Sequence, residues 1–142
     1  MIESERLPGF TVESPDGVER RFPDGRACVL VVEDEASQMQ RQRAHEIIGR
    51  HEVEIVAIAD VGRYRRWPAR SFALAAIRKT QAQEGVPVWL DWNDAVRSAL
   101  SLPPGVTAFV VVSADGRVTF CAHGMLDPAE QQALERALRT LA

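Results

Sequence analysis

Apolar and polar positions alternate near the start of the chain and then give way to solid apolar runs. Phe10, Thr11, Val12 and Glu13 alternate, Ser14 to Gly17 (SPDG) has turn chemistry, and Val18 to Phe22 returns as a second strand. That pattern predicts a β-hairpin. After the turn Pro23-Asp24-Gly25, Cys28 to Val32 is apolar without alternation, which predicts a strand covered on both faces, as at the centre of an α/β sheet. A helix is expected next, capped by Ser37 or an acid before it, with Met39, Ala44, Ile47 and Ile48 on one face and Gly49 at its end. Val53 to Ala59 reads as a second buried strand, and closes a parallel βαβ unit.

Past an arginine-rich loop, Pro68 fits the first turn of another helix. Its apolar stripe is read as Phe72, Ala73, Ala76, Ile77 and Thr80, and Gly85 stops it. Val86 to Leu90 predicts a short strand, and Asn93 the cap of a short helix running to Leu100. Val106 to Val112, the turn Ala114-Asp115-Gly116 and Val118 to Ala122 predict an antiparallel hairpin. The last helix has the strongest local signal. Asp127, Pro128 and Glu130 supply a cap, a first-turn proline and a capping-box glutamate, and Leu134, Ala137, Leu138 and Leu141 face the core.

Composition narrows the function more than the fold. The 142 residues are 46% hydrophobic and 26% charged, which suits one globular domain with no linker or repeat. With 17 basic and 20 acidic residues the net charge is −3, so nothing attracts the chain globally to nucleic acid or an anionic membrane. No apolar run approaches the ~20 residues of a membrane helix. The charged start MIESERLPG lacks the apolar core of a secretory signal, so a cytoplasmic location is expected. Two cysteines do not make a disulfide framework.

The order of elements resembles the thioredoxin fold in its peroxiredoxin-like (redoxin) form. The matching pieces are LPGFTVESPDGVERRF, CVLVV, VEIVAIAD, VPVWLDWNDAVRSALSLP and VTAFVVVSADGRVTFCAHG before the last helix. The resemblance implies an α/β domain over residues 1–142, with a central mixed sheet flanked by helices and an amino-terminal hairpin. It also implies active cysteines just after the first core strand, where a helix N-terminus stabilises a thiolate. This chain has Glu33, Asp34, Glu35, Ala36, Ser37, Gln38, Met39 and Gln40 there. The two cysteines of a thioredoxin CxxC fall on Ala36 and Met39. In the peroxiredoxin pattern Ser37 matches the active-site Thr/Ser, Gln40 replaces the attacking cysteine and Glu33 replaces a proline. The cis-proline position of thioredoxins falls near Thr107. The scaffold is retained in this alignment and the redox centre is missing, so no catalytic residue and no cofactor is expected. The expected role is binding of a protein partner or a second copy.

Other readings stay open at this level. VLVVEDE is also how receiver domains begin, and Glu33, Asp34 and Asp91 fit the acids that bind magnesium and accept phosphate there. Against this, a hairpin precedes the acids, and Lys79, the only lysine, lies before Asp91 rather than after it. Cys28 and Cys121 are either a thiol peroxidase or oxidoreductase centre, or two small buried hydrophobes. Glu33, Asp34, Glu35, Asp60 and Asp91 follow strands, where ligands of open α/β sheets bind; they suit a hard cation or, more simply, helix starts. Arg63, Arg65, Arg66 and Arg70, with Tyr64 and Trp67 between them, are the one marked basic patch, either an anion site or a solvated loop. No His/Cys spacing supports a metal site, and no glycine-rich phosphate loop is present.

Overall fold

A computed structural model describes residues 5–33, 46, 48, 49, 51–85, 87–103, 106–124 and 126–141. The segment 34–45, which holds most of the expected first helix, lies outside the described residues. So do the expectations for Met39, Ala44 and Ile47.

Seven strands form one mixed sheet: β1 (Phe10–Glu13), β2 (Glu19–Phe22), β3 (Cys28–Glu33), β4 (Glu54–Asp60), β5 (Val88–Asp91), β6 (Ala108–Val112) and β7 (Val118–His123). Their order is β2-β1-β5-β4-β3-β6-β7. β3 runs parallel to β4 and β4 to β5, while the two hairpins β1-β2 and β6-β7 are antiparallel. The solid apolar runs occupy the middle of the sheet, as expected of strands covered on both sides. Every residue of β6 and the first five of β3 are buried.

Alternation then sorts side chains to two faces. Cys28, Leu30 and Val32 pack with Val56, Ile58, Val110 and the hairpin residues Phe10, Val12 and Phe22 on one side. Helix α2 (Ala95–Leu100) covers that side through Val96 and Leu100. Val29 and Val31 face the other side, against Ile48 and the inner face of α3 (Pro128–Arg139). α3 begins as its sequence predicts. Asp127 accepts from the Glu130 N–H at 2.7 Å, and Glu130 Oε1 accepts from the Asp127 N–H at 3.2 Å.

Helix α1 (Ala69–Glu84) also packs on the second side, and there the expected stripe is out of phase. Ala73, Leu74 and Ile77 meet Ala59, Val88 and Leu90, whereas Phe72 and Ala76 point to solvent. Two polar anchors set the phase. Arg70 bonds Glu13 at 3.0 Å, and Gln81 Oε1 accepts from the Val88 N–H at 3.0 Å. With Arg70, Ala73, Leu74, Ile77 and Gln81 inward, Phe72 is forced outward. Gly85 ends the helix at φ +70°, a conformation that glycine adopts without strain.

Candidate functional site

Strand register gathers the chemistry at one edge of the sheet. Glu33, Asp60 and Asp91 are the last residues of β3, β4 and β5, and Asp60 pairs directly with Asp91. Because Val32 pairs with Ala108, the next step along β3 sets Glu33 opposite Thr107, immediately before β6. This is the carboxyl edge of the parallel strands, where ligand sites of such sheets lie.

Asp91 is a cap, not a ligand. It is 3% exposed, and its carboxylate accepts N–H bonds from Asn93 (3.3 Å), Ala95 (3.0 Å) and Val96 (2.9 Å). The expected cap, Asn93, does not hold α2; the N-cap position is Asp94, at φ +54° and without a side-chain cap bond. The correction has a simple cause. α2 leaves β5 through so tight a turn that the strand's last carboxylate already sits over the helix start, where its charge is also favourable.

Arg97, which the sequence reading did not single out, clamps the edge together. Its side chain is 7% exposed, and its Nε donates to Asp60 Oδ2 at 2.5 Å. Its Nη1 donates to the Pro103 carbonyl at 2.6 Å, and its Nη2 to that of Val106 at 3.1 Å. One planar guanidinium thus ties β4 to the loop entering β6. Asp94 stands nearby. Partial desolvation, then the negative charges of Asp60 and Asp91, push its carboxyl above the ordinary value. Among the described residues no group of His, Cys, Asp and Glu has the arrangement of a metal site.

Thr107 is fully buried, and its hydroxyl has no hydrogen-bond partner among the described residues. It occupies the position read as that of the family's cis-proline. The cis X–Pro bonds among the described residues lie in other loops, at Phe22–Pro23 and Trp67–Pro68. Asp34, Glu35, Ala36, Ser37, Met39 and Gln40 lie outside the described residues.

Neither cysteine is at this edge. Cys28 opens β3, five residues from Glu33, or about 16 Å at ~3.3 Å per residue. Burial, helped by the Asp24 and Glu54 carboxylates, pushes its thiol up to about 12. Cys121 is half-buried in β7 and paired with Val110. β6 separates the two cysteines by two strand spacings of about 4.8 Å, too far for a bridge, and neither is disulfide-bonded.

The arginines divide. Arg70 is taken up by Glu13 and lies 4.3 Å over the Trp92 ring. Arg63 lies over the ring of its neighbour Tyr64 at 4.8 Å, in a 3-10 turn from Gly62 to Tyr64. Arg65 and Arg66 are exposed, and so is Trp67.

No protein-family model and no curated protein matches the sequence. Solved structures do match. A putative thiol:disulfide interchange protein DsbE from Chlorobium tepidum superposes with a TM-score of 0.67 at 14% identity, over 99% of this chain and 98% of that one. MTB DsbF, solved in mixed oxidized and reduced forms, gives 0.66 at 17% identity, over 94% and 95%. A thiol peroxidase from Chromobacterium violaceum gives 0.68 at 10% identity, over 99% and 87%. The receiver reading, which needs an all-parallel sheet, is thereby overturned, and Asp91 is spent as a cap. No helix among the described residues is long and apolar enough to cross a membrane. The chain has a thioredoxin-like fold, built on a mixed seven-stranded sheet with an amino-terminal β-hairpin.

Proposed function

We propose that this chain is a peroxiredoxin-like form of the thioredoxin fold that has lost its redox centre and acts by binding. The observation that carries the reading is the location of its sulfur. A thiolate centre needs a cysteine at the carboxyl edge of β3, against a helix N-terminus. The segment from Glu33 to Gln40 contains none. Cys28 lies at the other end of the strand, buried, with its thiol held neutral. The binding surface under this reading is the same edge: the segment after Glu33, the stretch from Asp60 to Arg66, and the loop from Pro103 to Thr107 that Arg97 holds. No cofactor is required.

The half-buried position of Cys121 favours a second reading, a thiol peroxidase or disulfide oxidoreductase that uses this cysteine unconventionally. One experiment separates the two. Hydrogen peroxide consumption and insulin disulfide reduction, coupled to a thiol reductant, are followed for the wild type and for Cys28→Ser and Cys121→Ser. The binding reading expects background rates in all three. Turnover by the wild type that disappears in either variant refutes it.

A further inference from the structure

The segment from Arg63 to Phe72 carries a surface that the fold does not explain. Trp67 is 82% exposed and Phe72 is 74% exposed, and they are the two exposed large aromatics among the described residues. They stand at the positions just before the cap and in the first turn of α1, where an apolar pair often closes over a helix start. Here that closure is not made, because both rings remain in water. Arg65 and Arg66, beside them, are exposed; neither forms an ion pair within 4 Å among the described residues, and the charge of Arg65 reaches the exposed Asp94 carboxylate. The first turn of α1 has no acidic residue and its cap, Pro68, offers no side-chain acceptor, so the positive end of the helix adds to the arginines rather than offsetting them. Local stability would favour acids here. The sequence places guanidinium groups and aromatic rings instead.

From this juxtaposition of Arg65 and Arg66 with Trp67 and Phe72 we propose a docking surface for a short acidic segment of a partner protein. Carboxylates of the segment pair with the two guanidinium groups, and an apolar side chain between or beside them covers the rings. Charge complementarity selects the occupant. A long polyanion such as single-stranded nucleic acid would also meet arginine and tryptophan, but it would have to pass the exposed Asp94 carboxylate bordering the patch. Gly62, which precedes Arg63, lies so close to the exposed Asp94 that a Cβ on it would stand 2.6 Å from Asp94 Oδ1. A short acidic stretch ending in an apolar residue satisfies the arginines without passing that carboxylate. The inference rests on the binding reading and gives its partner a chemistry.

The test uses the full chain and a fluorescein-labelled synthetic peptide in which a short run of glutamates is followed by a terminal leucine-phenylalanine pair. Anisotropy at low salt is expected to show saturable binding that weakens steeply as salt is raised. Arg65→Glu with Arg66→Glu is expected to weaken it at least tenfold, and Trp67→Ala severalfold, while Lys79→Glu, farther along α1, leaves it within twofold. These side chains are exposed, and unchanged far-ultraviolet circular dichroism confirms the variants are folded. Absence of saturable binding, or equal affinity in the arginine double variant, overturns the proposal. Tighter binding of an oligothymidylate, lost in the same variant, also overturns it in favour of a nucleic-acid surface. Thiol turnover in the assay above would defeat the binding reading itself, a result separable from failure of the peptide to bind.

Discussion

Replacing Arg97 with methionine removes the clamp at the site edge while filling most of its volume. The guanidinium is almost completely buried, and its partner Asp60 is itself largely covered, with a side-chain exposure of 17%. Solvent therefore screens little of the interaction. Loss of the arginine leaves one carboxylate without its countercharge and two carbonyls, of Pro103 and Val106, without donors. Each hydrogen bond to a charged group contributes ~1.5–3 kcal/mol. The three act as one network and do not add, so the expected cost is that of breaking a buried pair from one side, about 3–5 kcal/mol. Against a typical domain stability of ~5–15 kcal/mol this is a large share. It corresponds to a fall in Tm of about 10–20 °C at ~3–4 °C per kcal/mol.

Urea denaturation at equilibrium, with tryptophan fluorescence and circular dichroism in parallel, reads the loss as a lower midpoint at constant slope. The pair is assigned by a cycle with Asp60→Asn. The double variant is expected to be more stable than the sum of the two single losses implies, by about 1–3 kcal/mol, since the stranded charge is gone. Arg97→Lys retains the charge but not the fork and should fall between wild type and methionine. A loss below about 1 kcal/mol for Arg97→Met, or strict additivity with Asp60→Asn, would show that the clamp contributes nothing and that packing alone holds the loop entering β6.

Three further outcomes follow from the same edge and from the opposite end of β3. Asp91→Ala should cost about 2 kcal/mol, since three backbone N–H groups lose their acceptor, whereas Asn93→Ala should stay within about 0.5 kcal/mol; urea midpoints that rank them the other way refute the capping role of Asp91. Asp94→Asn should stabilise the chain by a few tenths of a kcal/mol at neutral pH, with asparagine also tolerant of φ +54°. A carboxyl raised in the folded state loses stability as pH climbs through its ordinary value to the raised one, so the advantage of Asp94→Asn should vanish near about pH 3, and an advantage that persists there refutes the electrostatic cause. In Cys121→Ser, the remaining Cys28 should resist labelling by a disulfide reagent at pH 8 and react only as fast as the protein unfolds; rapid labelling of the native protein refutes its burial.

Much of this fold was legible because the signals were local. The buried runs of β3 and β6, the capping box at Asp127 and Glu130, and the stop at Gly85 each depend on residues within a few positions of one another. What stayed hidden depends on partners far along the chain. Arg97, in the middle of the short helix AVRSAL, reads as an ordinary solvent-facing residue; its burial is decided by Asp60, 37 residues away, and by two loop carbonyls. A usable signal existed, since carboxylates ending two adjacent strands call for a nearby cation. The phase of α1 was hidden for the same reason. Phe72 outranks Leu74 as an apolar candidate by size, yet Glu13 and Trp92 hold Arg70 inward and so turn Phe72 out. That error has a functional consequence, because a phenylalanine read as core is one member of the exposed patch beside Arg65 and Arg66.

The thiolate available at each end of β3 also supports the proposed binding reading. A thiol held at about 12 is ionised to about one part in 10⁵ at pH 7, against a few per cent for an ordinary cysteine near 8.5. Cys28 therefore offers an electrophile roughly a few thousandfold less thiolate than a free cysteine, even before its burial is considered. At the other end, the sequence from Glu33 through Gln40 contains no cysteine. The carboxylates of Asp60 and Asp91, which border that end, are committed to Arg97 and to the start of α2. What the edge retains is shape and fixed charge: an arginine clamp holding the loop before β6, the exposed Asp94 carboxylate, and a basic aromatic segment next to it. Under the proposed binding role, such an arrangement would discriminate between partners through complementary charge and covered apolar surface.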